Sequence, residues 1–169
     1  MRFKYYAGIG SRRTPIDVQR NMTLIAQRLS RSSYCLRSGG AEGSDDAFES
    51  GAEYKQIFLP WDGFNGKKAD NRQYFAPQEN LDLVKKYHPN FSRLSQAGRK
   101  LMSRNSNQVL GPDLNDPVDF ILCWTKDGKA SGGTGQALRM AKDYNIPIFN
   151  LKNGYDDFAS YMTVELLLK

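Results

Sequence analysis

The sequence predicts an α/β fold: a parallel sheet of about five strands, helices on both faces, and a helical insert between strands three and four. Three observations lead to it. Apolar runs of strand length alternate with stretches of helical period. Three of the runs pass at once into a loop rich in small residues and then into a helix start. The run Phe120-Ile121-Leu122-Cys123-Trp124 has no polar alternation, as in a strand buried on both faces. At 169 residues the chain is read as one domain, residues 1–169.

Strand one is expected over 3–9, and Pro15 precedes a helix over 16–30. Val18, Met22, Ile25, Ala26 and Leu29 recur there at helical spacing and turn toward the sheet. Tyr34-Cys35-Leu36 forms strand two. Gly43-Ser44-Asp45 supplies an N-cap and an acidic first turn. Ala47, Phe48, Gly51 and Ala52 follow as a face of small residues suited to packing on the sheet. Lys55 to Pro60 is strand three. The insert runs from Trp61 to Pro117, with helices over 80–87 and 95–110. A connection this long between sheet strands is usually functional or a partner surface. Strand four is expected over 119–125. The helix after it has Ala137, Leu138, Met140 and Ala141 inward. A short strand over 146–151 and a closing helix over 155–168 end the chain, with Phe158, Met162, Leu166 and Leu167 inward.

Composition narrows the chemistry. The formal charge of +6 favours anionic partners such as nucleotides or nucleic acid. The cations are scattered, without a basic tail. One histidine and two separated cysteines argue against a zinc site, and no cofactor is implied. His88 precedes Pro89 and reads as a cap or surface group. No apolar run approaches the roughly 20 residues of a membrane helix. The N-terminus is too short and polar for a signal peptide, and the cysteines form no disulfide framework. The cytoplasm is the expected compartment.

The loops carry the candidate site. Gly10-Ser11-Arg12 follows strand one, Ser38-Gly39-Gly40-Ala41-Glu42-Gly43-Ser44-Asp45 follows strand two, and Gly132-Gly133-Thr134-Gly135-Gln136 opens the helix after strand four. Glycine lets backbone N–H groups close on a ligand, and a helix N-terminus attracts an anion. In a parallel sheet such loops emerge at the carboxyl ends of the strands and converge. Glycines that only make tight bends are the other reading. In the insert, Arg104, Asn105, Asn107 and Gln108 supply donors and amides that grip phosphate or read a base edge, or that cap a solvated helix end. Trp61 and Trp124 are candidates to stack on a base, with the core as the alternative for Trp124. Asp45 reads as an N-cap or as a ligand contact.

Three of these stretches resemble the SLOG superfamily of Rossmann-like nucleotide-binding proteins, which includes the DNA-processing protein A (DprA/Smf) family and the LOG phosphoribohydrolases. Gly10-Ser11-Arg12 is similar to the Gly-Ser-Arg of the first. Ser38 to Asp45 is similar to its Ser-Gly-x-Ala-x-Gly-x-Asp. Gly132-Gly133-Thr134-Gly135 is similar to the Gly-Gly-x-Gly of the second. The whole pattern, with Arg104 to Gly111, resembles small stand-alone DprA-like proteins of tailed bacteriophages, whose setting is the host cytoplasm. The resemblance implies a Rossmann-like sheet. It also implies a phosphorylated nucleotide or ADP-ribose-like signal as ligand, sensed or processed, and in a phage setting sequestered without catalysis; a nucleotide N-glycosidase is the alternative. Single-stranded DNA is the second partner it implies, and a homo-oligomer the expected assembly. The LOG pattern Pro-Gly-Gly-x-Gly-Thr-x-x-Glu is broken here by Ser131, Gln136 and Arg139. With arginine at the carboxylate position, N-glycosidic cleavage is disfavoured unless Glu42, Asp45 or Asp46 supplies the charge.

Overall fold

The computed structural model describes residues 3–68 and 78–167, with backbone alone for 78, 166 and 167. Five parallel strands form one sheet in the order β3-β2-β1-β4-β5: β1 (Lys4–Gly10), β2 (Tyr34–Ser38), β3 (Lys55–Ile57), β4 (Phe120–Trp124) and β5 (Ile148–Asn150). Around them lie α1 (Ile16–Arg31), α2 (Ser44–Gly51), α3 (Gln78–Tyr87), α4 (Gln96–Leu110), α5 (Thr134–Asp143) and α6 (Asp156–Leu167). The α/β sheet and the insert between β3 and β4 are as the sequence predicts.

Side-chain alternation along the strands builds two cores. Tyr6, Leu36, Phe120, Leu122 and Trp124 meet α1, α2 and α6 through Met22, Leu29, Phe48 and Phe158. Ala7, Ile9, Ile121 and Cys123 meet α3, α4 and α5 through Tyr87, Val109, Leu110, Leu138 and Met140. Val18 and Ile25 of α1 pack at the edge of the first core, as does Met162 of α6. The side chains of Leu166 and Leu167 lie outside the described residues.

Element ends differ from expectation for local reasons. Strand β2 runs on through Arg37 and Ser38, because both polar side chains find partners inside the sheet layer. Ser38 Oγ donates to the Gly8 carbonyl at 2.6 Å. Arg37 is 1% exposed, donates to Gln56 and Asp116, and stacks 3.9 Å from the centre of the Tyr5 ring. It bolts β2 to the end of the insert. Strand β3 stops at Ile57, with one more ladder bond from the Phe58 N–H to Ser38, before Pro60, which has no N–H to give. The residue before α2 is Gly43, and no side chain caps that helix. Ser44 Oγ pairs instead with Thr14 Oγ1 at 2.7 Å. Ser95 does cap α4, accepting from the Gly98 N–H. Gly51 serves α1 rather than the sheet: a Cβ there would run into the Thr23 carbonyl oxygen.

Tyr6 tests the first core. Its ring is fully buried, stacked on Phe120 with centres 5.7 Å apart, and its hydroxyl has no partner among the described residues. A buried hydroxyl without a partner costs about 1–3 kcal/mol. Tyr6→Phe is therefore expected to hold or raise the melting temperature; a clear fall in thermal unfolding would show that the hydroxyl is satisfied.

Candidate functional site

Strand β1 lies between β2 and β4, and the chain leaves β1 toward β2 but leaves β4 toward β5, on opposite halves of the sheet. At such a switch point the loops after neighbouring strands part and leave a crevice. The structure has a cleft of about 380 Å³ there, a size in the usual range for small-molecule sites. The end of β1 and the β1–α1 loop contribute Gly10, Ser11, Arg12 and Arg13, the β2–α2 loop Ala41, and the first turn of α2 Asp45. The β4–α5 loop contributes Thr125, Lys126 and Ser131 to Thr134, and α4 forms a wall with Leu101, Met102, Arg104, Asn105 and Gln108.

The wall follows helical period. Leu101, Arg104, Asn105 and Gln108 stand at i, i+3, i+4 and i+7, one stripe of α4. Arg104 is 6% exposed. It donates to the Gly39 carbonyl, lies 3.6 Å from Asp45 and passes 5.4 Å from the centre of the Phe64 ring. Gln108, with its amide oriented to satisfy both donors, accepts from the Gly39 N–H at 2.8 Å and from Arg104 at 3.2 Å. Asn105 donates to the Gly133 carbonyl at 3.1 Å and so ties α4 to the β4–α5 loop. Gly39 is glycine because Arg104 and Gln108 occupy the space of its Cβ.

The donors divide into used and free. The Ser11 N–H bonds to the Trp124 carbonyl, and its carbonyl accepts from Thr14 and Ser44; this amide holds the loop and is not open to a ligand. The Gly39 and Ala41 N–H groups go to Asp45 Oδ2 at 3.2 and 3.3 Å. The Gly135 N–H is turned back on Ser131 and Gly132. By contrast, the N–H groups of Gly132, Gly133 and Thr134, at the start of α5, have no acceptor among the described residues. They border the cleft where the helix dipole is positive. Arg12, Arg13 and Lys126 are exposed there. Among the described residues, Asp45 is the one carboxylate in the lining. Burial pushes its carboxyl up to about 6, against the pull of Arg104 and the two N–H bonds. Burial also lowers Arg104, with Asp45 opposing; a guanidinium stays charged even so.

Other predicted site residues lie elsewhere. Ser38 is fully buried in β2. Gly40, at φ +67°, shapes the bend beside Leu59 and gives its carbonyl to Asn65. Glu42 is exposed and outside the lining. Asn107, one step off the α4 stripe, caps the helix end at Gly111 and Pro112 and accepts from Asn80. Trp61 packs edge-on to Phe64. Trp124 is 6% exposed in the first core, so it is a core residue rather than a stacking platform; its ring shares a strand face with Phe120 and Leu122. Gln136 is fully buried, because two residues along a helix turn a side chain about 200° away from Thr134. Arg139 also stays out of the cleft and donates to the Tyr87 and Ala130 carbonyls at 2.7 and 3.0 Å. His88 accepts from the Asn90 N–H at 3.1 Å.

Sequence reasoning missed Arg13, Thr125, Lys126 and the apolar pair Leu101 and Met102. Lys126 had a legible signal, since it follows its strand as closely as Arg12 follows β1.

One solved structure similar to this chain is DNA processing protein A from Helicobacter pylori, described for a unique single-stranded DNA binding mode. The two share 18% identity over 92% of this chain and 73% of that one, with a TM-score of 0.56. The likeness shows a common fold. No family model and no curated protein matches the chain.

Proposed function

We propose that the cleft binds a phosphorylated nucleotide, phosphate toward the start of α5 and base toward Leu101. One observation carries the reading: three N–H groups without acceptors among the described residues meet Arg12, Arg13, Lys126 and Arg104 around one small cavity. Converging N–H groups and cations suit a phosphate, and the aliphatic Leu101 side chain gives a flat base an apolar surface. Asp45, the carboxylate in the lining, is already engaged with Arg104 and two N–H groups, and Glu42 stands outside. The set therefore favours holding an ADP-ribose-like or mononucleotide ligand, sequestration included, over cleaving it.

The fold shared with DNA processing protein A favours a second reading, in which the phosphate belongs to single-stranded DNA. Calorimetry with AMP, ADP-ribose and a 5′-phosphorylated oligonucleotide separates the two. Free nucleotides bind if the cavity is the whole site. For a polymer, affinity requires length and falls steeply with salt. Arg12→Ala combined with Lys126→Ala is expected to weaken AMP binding at least about tenfold, a modest loss for two phosphate-facing cations. Unchanged affinity would remove the cleft from consideration. Release of free base from AMP, abolished by Glu42→Gln, would show hydrolysis instead.

A further inference from the structure

Among its cations the cleft holds a carboxylate in an unusual position. Asp45 sits in the first turn of α2 and is 3% exposed. Its Oδ2 takes the Gly39 and Ala41 N–H groups, while Oδ1 accepts no hydrogen bond among the described residues. Arg104 Nη1 stands 3.6 Å from Oδ2, too far for a good hydrogen bond, because that nitrogen already donates to the Gly39 carbonyl and to Gln108. The other charges around the pair are few. Asp46, next along α2, repels Asp45 but is itself held by Lys67 at 2.8 Å. Arg12 repels Arg104 from the β1–α1 loop. A loosely coupled, buried ion pair thus lines the cavity on both members.

Building on the anion-binding reading, we infer that an entering anion splits this pair: the anion takes over the charge of Arg104, and the Asp45 carboxylate takes up one proton from solvent. Arg12, Arg13 and Lys126 face the anion from the solvent side. Asp45, however, is buried with Arg104 as its one close cation among the described residues, so a second negative charge beside Arg104 favours the neutral form of Asp45. The proton lands on Oδ1, the oxygen without a partner, and Oδ2 goes on accepting from Gly39 and Ala41. The loop keeps its shape while the net charge facing the ligand rises by one. Asp45 then ties anion affinity to pH, whereas a neutral occupant leaves the pair intact and binds without that dependence.

Sulfate is the probe, because its charge stays constant across the range in which a carboxyl of this kind titrates. Calorimetry at pH 7.5 in two buffers of different ionisation enthalpy reads the protons taken up by the wild-type chain. Carboxyl carbon NMR reads Asp45 directly, with and without sulfate at matched ionic strength. About one proton per sulfate is expected, with affinity falling up to about tenfold per pH unit above the Asp45 titration. Sulfate should move the Asp45 carboxyl resonance toward its protonated position. Asp45→Asn should bind sulfate with neither the proton nor the pH slope. Binding without proton uptake, or a slope that persists in Asp45→Asn, overturns the inference and leaves the anion site standing. No sulfate binding at any pH removes both. The wild-type measurements decide alone if the variant does not fold.

Discussion

Arg104→Ala lowers the melting temperature by about 10 °C and frees the β2–α2 loop from α4. Removing one member of a buried ion pair costs about 3–5 kcal/mol, and a chain of this size loses about 2–4 °C per kcal/mol. Here the loss is compounded, since Gly39 loses its carbonyl donor and Gln108 one of its two. The pH dependence gives the effect a signature. The Asp45 carboxyl stands at about 6 in the folded chain against 3.8 ordinarily, so the fold binds more protons than the unfolded chain between those values. The stability tied to that proton is complete below pH 3.8 and is lost as pH rises through 6. Without Arg104 the carboxyl moves higher still. The variant's deficit against wild type is therefore smaller near pH 5 than near pH 8. Thermal unfolding at the two pH values checks this; an equal deficit at both would mean that Asp45 does not feel Arg104.

Gly51→Val is the second large effect, of about 3 kcal/mol, near the upper end for overpacking a tight contact. A Cβ at position 51 collides with the Thr23 backbone carbonyl and stands 3.0 Å from the Ala26 methyl. Backbone cannot swing aside as a side chain can. The hydroxyl of Thr23 also donates to the Ala47 carbonyl at 2.8 Å, so α1 and α2 are joined where they would have to part. Urea unfolding should show a lower midpoint with an unchanged slope. Because the β2–α2 loop hangs from α2, the variant should also bind AMP more weakly if the proposed site is right. A wild-type midpoint would place the helices farther apart than described.

Much of the fold was legible because its signals are local. Strand runs, helical periods and the loops between them depend on residues near one another in the chain, and parallel strands bring the loop ends to one side of the sheet by topology alone. That Arg104, Asn105 and Gln108 share a face is also readable from a strict 3.6-residue period. The same period adds Leu101 and drops Asn107. The division of labour among donors was not readable. Whether the Ser11 amide is free depends on the Trp124 carbonyl, and whether Gly39 is free depends on Asp45 and Gln108. Those partners lie far away in sequence or across a turn.

The chain's own order of residues thus determined a five-stranded parallel sheet, its helices and the glycine-bearing turns at its carboxyl edge. Those choices follow from side-chain period and backbone freedom over a few residues. Tertiary structure alone decided which groups in those turns face outward, that Trp124 and Gln136 are buried, and that α4 closes the cavity through Arg104. Such outcomes depend on the unique partner each polar atom finds, and partners separated by tens of residues meet only when the chain has folded.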